Sequence, residues 1–128
     1  MSNEEKNRLN FRVELHEPLT VEWEDKQQGS LVRVHGTIHD ISGGGISFTL
    51  FEQLPLLAGE RFLVTVSFSI CETTFCEKAH VLREITTRNG HHLYAAKFEK
   101  MPKMTQSELV TLLLKIDFEK RFKKRKKN

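Results

Sequence analysis

Phe62-Leu63-Val64-Thr65-Val66-Ser67-Phe68-Ser69-Ile70 places an apolar residue at every second position. In an extended strand successive side chains face opposite sides, so Phe62, Val64, Val66, Phe68 and Ile70 form one face to be buried. Thr65, Ser67 and Ser69 form a face for solvent. Cys71 to Thr74 fits a hairpin turn, and Phe75, Ala79, Val81 and Ile85 form the next run.

The same period of two extends outward in both directions. Toward the N-terminus, Ile46, Phe48 and Leu50 alternate with Ser47 and Thr49. Val32, Val34 and Ile38 alternate with Arg33, His35, Thr37 and His39. Val13, Leu15, Leu19, Val21 and Trp23 share one parity against Glu14, Glu22 and Glu24, with Pro18 marking a bulge or an edge. Trp23 reads as core rather than as a stacking platform. Toward the C-terminus, Tyr94, Ala96 and Phe98 form the last run, with Leu93 and Ala95 on its other face. Turn residues separate the runs at Gln27–Ser30, Gly43–Gly45 and Pro55–Gly59. Asn89-Gly90 is the strongest hairpin signal, because a type I′ turn needs positive φ at both central residues. The pattern predicts a mainly all-β fold, a six-stranded antiparallel β-barrel, over residues 12–100.

After the barrel the period changes. Thr105-Gln106-Ser107-Glu108 reads as a capping box, and Leu109, Leu112, Leu113 and Ile116 follow at helical spacing. This predicts a C-terminal α-helix over 105–122. A second stripe, Val110, Leu114, Phe118 and Phe122, supports either a wider buried face or a homodimer. The remaining segments are a flexible N-terminal stretch, residues 1–12, and a basic tail, residues 120–128.

Of the 128 residues, 38% are hydrophobic and 29% charged, the balance of a soluble single domain large enough to need no metal or disulfide. The net charge of +3 hides a division. Residues 120–127, Lys-Arg-Phe-Lys-Lys-Arg-Lys-Lys, carry seven positive charges, and without them the chain stands at −4. Affinity for an anionic surface therefore belongs to the tail and not to the body. The polar start and the lack of a long apolar run predict neither a signal peptide nor a membrane span, hence a cytoplasmic location. Cys71 and Cys76, with four residues between them, fit reduced thiols better than a metal or redox site. The six histidines show no H-E-x-x-H spacing, and neither G-x-S-x-G nor a P-loop is present, so the chain reads as a non-enzyme that needs no cofactor.

Two short stretches carry chemistry. Arg8 and Arg12 share a side in either an extended or a helical segment, and guanidinium forks grip phosphate or the O6/N7 edge of guanine. Asp40-Ile41-Ser42-Gly43-Gly44-Gly45 then falls at a strand-to-strand turn. A carboxylate accepts two hydrogen bonds, which suits the N1–H and amine of guanine. Ser42 can meet a phosphate or cap the turn. The glycines permit unusual φ and close backbone approach, and successive N–H groups in such a turn can form an anion nest. His39 adjoins this corner as a further candidate. Each half alone is common as a solvated or Asx-turn feature. Their order, spacing and strand context together are specific.

Arg8-Leu9-Asn10-Phe11-Arg12 and Asp40-Ile41-Ser42-Gly43-Gly44-Gly45 resemble the two motifs of PilZ domains, R-x-x-x-R and D/N-x-S-x-x-G. PilZ domains are small bacterial β-barrels that bind cyclic di-GMP. The resemblance covers about residues 6–100, and the terminal helix is compatible with it. It implies Arg8, Arg12, Asp40, Ser42 and Gly45 as the ligand site, with Asn7, Gly43, Gly44 and His39 as further candidates. Gly43 and Gly44 fall between the matched positions as turn formers. Asn7 stands where many members carry another arginine that helps hold a stacked pair of dinucleotides, so one or two ligands per chain both stay open. The function implied is a cyclic di-GMP receptor whose N-terminal segment closes over the ligand and relays the signal to a protein partner in motility, biofilm or polysaccharide output. The alternative is a nucleotide-independent adaptor of the same fold.

Overall fold

The alternating runs become strands in the computed structural model, which describes residues 11–126. They are β1 (Val13–Glu14), β2 (Pro18–Asp25), β3 (Ser30–Ile41), β4 (Gly45–Leu50), β5 (Phe62–Ile70), β6 (Thr73–Arg88) and β7 (His91–Phe98), and the helix α1 (Lys103–Lys126) follows. The strand order is β1-β3-β2-β5-β6-β7-β4, and a further β3–β4 pairing joins the ends. All pairings are antiparallel. The result is the closed six-stranded barrel with one C-terminal helix that the pattern predicts.

Closure depends on two long strands that change partners. β3 pairs with β2 through Thr37 and with β4 from Gly36 onward. β6 pairs with β5 through Val81 and with β7 from Ala79 onward. At the first crossing the neighbouring backbone comes very close: a Cβ on Gly36 would sit 2.3 Å from the Thr49 carbonyl oxygen and 2.5 Å from Leu50 Cδ2. Only glycine fits this corner without displacing a strand.

The inward faces form one core. Val21, Ile38, Ile41, Ile46, Phe48, Val66, Ala79 and Tyr94 are fully buried, joined by Leu109 of α1. Phe68 packs against Phe75 and Phe98 with ring centroids 5.4 and 6.4 Å away. Trp23 packs at the margin against Phe62. Both hairpin turns take the expected form. Asn89 and Gly90 have φ of 53° and 78°, and Cys71 and Glu72 reach 49° and 66° without a glycine. The two cysteines are free.

Three expectations change. The first run is two strands, because Pro18 has no N–H for a ladder and begins β2 anew. The residues between stay attached to β3 through Leu15 N–H to the His39 carbonyl and Ile38 N–H to the Glu17 carbonyl. Ile85 does not continue the buried face of Phe75, Ala79 and Val81 but is 47% exposed. Register shifts between Val81 and Arg83 and between Glu84 and Thr86 insert one extra residue each, Leu82 and Ile85, which breaks the alternation. Finally, α1 spans Lys103–Lys126 rather than 105–122. It starts directly after Pro102, whose carbonyl accepts the Gln106 N–H at 2.9 Å, so Thr105 lies inside the first turn instead of capping it. At the other end it takes in most of the basic tail, whose lysines and arginines are good helix formers and favour the negative end of the helix dipole. Along its second stripe Val110 is buried, Leu114 half-buried, and Phe118 and Phe122 exposed. Among the described residues no helix is long and apolar enough to cross a membrane.

The long β4–β5 loop is fastened by Tyr94, whose hydroxyl oxygen accepts the Leu54 N–H at 2.7 Å. Burial pushes the Tyr94 phenol from 10.0 up to about 12; the Leu54 bond opposes this, and the Glu84 carboxylate adds to it. His92 Nδ1 lies 2.9 Å from the same carboxylate.

Gly36→Ala is expected to destabilise the barrel by about 1–3 kcal/mol, read as a fall of several degrees in melting temperature. Tyr94 has a folded pKa above its unfolded one, so its contribution is complete below about pH 10 and is lost as pH rises through about 12. Tyr94 is the only tyrosine, so phenolate absorbance should titrate near pH 12 in the folded chain. A midpoint near 10.0 in folded protein would refute the burial of the phenol beside the Glu84 carboxylate.

Candidate ligand-binding site

A β-bulge sets the direction of Asp40. Alternation from Ile38 would give Asp40 the same inward parity, burying a carboxylate at considerable cost. Instead Ile38 pairs with Phe48 and Asp40 with Ser47, so His39 is an extra residue with no counterpart on β4. The insertion turns Asp40 outward and returns Ile41 to the core; both Ile38 and Ile41 are 0% exposed.

β1 then brings an arginine to that carboxylate. Val13 pairs with Ile41 and Glu14 with Asp40, which makes Arg12 the diagonal neighbour of Asp40. Arg12 Nη1 lies 2.5 Å from Asp40 Oδ1, and the same oxygen accepts the Ser47 hydroxyl at 2.6 Å. The Arg12 side chain remains 49% exposed. Ser47, on the outward parity of β4, is buried.

The turn that follows is held from inside. The Ser42 hydroxyl oxygen accepts the N–H groups of Gly44 and Gly45 at 3.2 and 3.1 Å, and Ser42 N–H donates to the Gly45 carbonyl at 2.9 Å. Ser42 is 4% exposed, so its hydroxyl serves as a cap within the turn. Positive φ among the described glycines occurs at Gly29, Gly59 and Gly90, not in the Gly43–Gly45 run. What Gly45 supplies is close approach, since a Cβ there would lie 2.7 Å from the Ala96 carbonyl oxygen.

The helix braces both halves. Gln106 Nε2 donates to the Gly43 carbonyl at 2.9 Å, and Lys120 Nζ donates to the Glu14 carbonyl at 2.5 Å. The Gly44 carbonyl accepts the Phe98 N–H at 3.0 Å. Register extends the outer face across the sheet: Asp40, Ser47, Ala95 and Arg83 stand in one row, and Gly45, Lys97 and His80 in the next. Lys97 is exposed beside Gly45, which has no side chain to cover it.

The sequence candidates are therefore distributed as follows. Arg12, Asp40, Ser42, Gly43, Gly44 and Gly45 converge on one corner, with His39 as the bulge residue behind them. Arg8 and Asn7 lie outside the described residues. Ser47, Gln106 and Lys97 were not legible as neighbours. Ser47 looked like one of many solvent-facing serines, and the other two reach the corner only through pairing and docking. Among the described residues no cluster of histidine, cysteine, aspartate and glutamate is placed to hold a metal ion.

A closed barrel with an arginine ahead of its first long strand and an acid-serine-glycine turn between two later ones defines a particular class of small β-barrel. The PilZ domain family matches residues 6–115, and the chain belongs to it. No curated protein sequence matches. Among solved structures, YcgR of Escherichia coli in complex with c-di-GMP aligns with TM-score 0.70 and 19% identity over 92% of this chain and 49% of that one. The Bacillus subtilis inhibitor of motility, MotI/DgrA, aligns with TM-score 0.63 and 17% identity over 85% of this chain and 50% of that one. The PilZ domain of CeSA from a cellulose-synthesizing bacterium aligns with TM-score 0.57 and 17% identity, over 84% of this chain and 99% of that one. The chain thus spans about half the length of YcgR and MotI/DgrA.

Removing the cap tests how the turn is built. Ser42→Ala is expected to cost about 1–3 kcal/mol, because two N–H groups lose their acceptor. Amide exchange at Gly44 and Gly45 should accelerate selectively, while exchange in β5 should keep its order.

Proposed function

We propose that this domain is a receptor for cyclic di-GMP, binding the dinucleotide where Arg12, Asp40 and Ser47 meet beside the Gly43–Gly45 turn. The observation that carries the reading is the bulge-directed triad: Arg12 and Ser47 share one oxygen of Asp40 on the outer surface of the barrel. A guanidinium already oriented by a carboxylate needs little further ordering to grip a phosphate or a guanine edge. Arg8 supplies the second fork from the N-terminal segment. Lys97, beside Gly45, adds a positive charge on the barrel side. The dianion is held between these groups.

The affinity follows from modest terms. Two charge-assisted contacts at ~1.5–3 kcal/mol each supply the recognition of charge; stacking adds to them, and the cost of ordering the N-terminal segment subtracts. The signal is relayed when that segment closes, because its exposed surface then changes for a protein partner. The domain acts in the cytoplasm as a binding module, not as a catalyst.

Isothermal titration of the full chain with cyclic di-GMP, beside GTP and cyclic GMP, tests this. Binding should be selective for the dinucleotide. Arg8→Ala and Arg12→Ala should each abolish measurable heat, while the ligand-free melting temperature barely moves, since an exposed ion pair contributes only about 0–1 kcal/mol. A flat titration of the unaltered chain would overturn the proposal in favour of a nucleotide-independent adaptor.

A further inference from the structure

The C-terminal part of α1 carries a surface that the ligand site does not use. Leu109 and Leu113 are seated in the core, and Lys120 still reaches the Glu14 carbonyl. On another side of the helix Phe118 is 68% exposed and Phe122 50% exposed. Their rings stack with centroids 6.3 Å apart and planes 12° from parallel. Lys115, Arg121 and Lys123 are exposed around them, with Arg121 Nε 3.0 Å from Asp117 Oδ2. At 100° per residue, Phe118 and Phe122 form a ridge with Lys115 and Arg121 on its flanks.

We propose that this ridge docks the domain on the surface of an anionic lipid bilayer. The inference is independent of the ligand reading. Charge complementarity selects the occupant: seven positive charges fall in residues 120–127, while the rest of the chain stands at −4. The molecule is therefore an electrical dipole whose helix end is drawn to a negative surface and whose barrel is held away from it. An interfacial helix combines this cationic flank with aromatic residues that enter the headgroup region while the axis lies in the plane. Other occupants fit less well. The two rings already stack on each other, which removes ring faces from base stacking. A second copy in the same orientation would place Lys115, Arg121 and Lys123 against their own counterparts.

The test is sedimentation of the full chain with vesicles of phosphatidylcholine containing about 30% phosphatidylglycerol, against vesicles of phosphatidylcholine alone. Binding is expected to the anionic vesicles only, and to be released in ~1 M salt, where the screening length falls to ~3 Å. Phe118→Ser with Phe122→Ser should weaken binding about tenfold or more in a chain whose circular dichroism shows it still folded. Lys115→Glu with Lys123→Glu should weaken it independently of the rings. Failure to sediment with anionic vesicles overturns the proposal. So does sedimentation unaltered by the phenylalanine substitutions, or a preference for duplex DNA over vesicles. A homodimer that the same substitutions dissociate, in place of vesicle binding, also overturns it.

Discussion

Closing a six-stranded sheet on itself gives every strand two neighbours, and in this domain β3 pairs with β2, β4 and β1 within its twelve residues. Gly36 lets its backbone turn from β2 toward β4, where any side chain would strike the Thr49 carbonyl. The extra residue at His39 then reverses the parity of the strand's end. Without that reversal Asp40 would point among Phe48, Ile46 and the other buried side chains, and Ile41 would face water. The position of the carboxylate, the docking of β1 and the placement of Arg12 all depend on this local irregularity. It is held in place because Ile38 and Ile41 must both be buried.

The corner combines two kinds of polar contact with different consequences. Ser42 and its glycine N–H groups lie inside the turn, where an unmet hydrogen bond is expensive, so they act as structure. The Arg12–Asp40 pair lies outside, with Arg12 half exposed, where an ion pair contributes little to folding. A contact of that kind is easily exchanged for one with an anionic ligand. Ser47 stands between these regimes: it is buried, yet its hydroxyl is directed at the exchangeable carboxylate and limits the orientations that Asp40 can adopt. Rigidity beneath and exchangeability above suit the dianion-binding role proposed for this surface.

The helix links this corner to the rest of the molecule. Its first turns meet Gly43 through Gln106, its middle fills the core with Leu109 and Leu113, and Lys120 reaches the backbone of β1. Glu14, whose carbonyl receives that lysine, pairs directly with Asp40 in the ladder. A load on the C-terminal part of α1 can therefore reach the strand partner of Asp40 through Lys120.

Much of this could be read from the chain alone. A period of two along each run dictates which residues face inward, Asn-Gly dictates a tight hairpin, and the spacing of Leu109 and Leu113 dictates a helix with a buried stripe. Arg12 and the Asp40–Gly45 stretch were recognisable because motif residues are contiguous or nearly so. Only tertiary structure decided the outward turn of Asp40, the exposure of Ile85, and the arrival of Ser47, Gln106 and Lys97 at the site. Parity along a strand is a local property, but a bulge adds one residue to the count. Whether it forms is settled by partners on strands far away in sequence, which the alternating pattern does not encode.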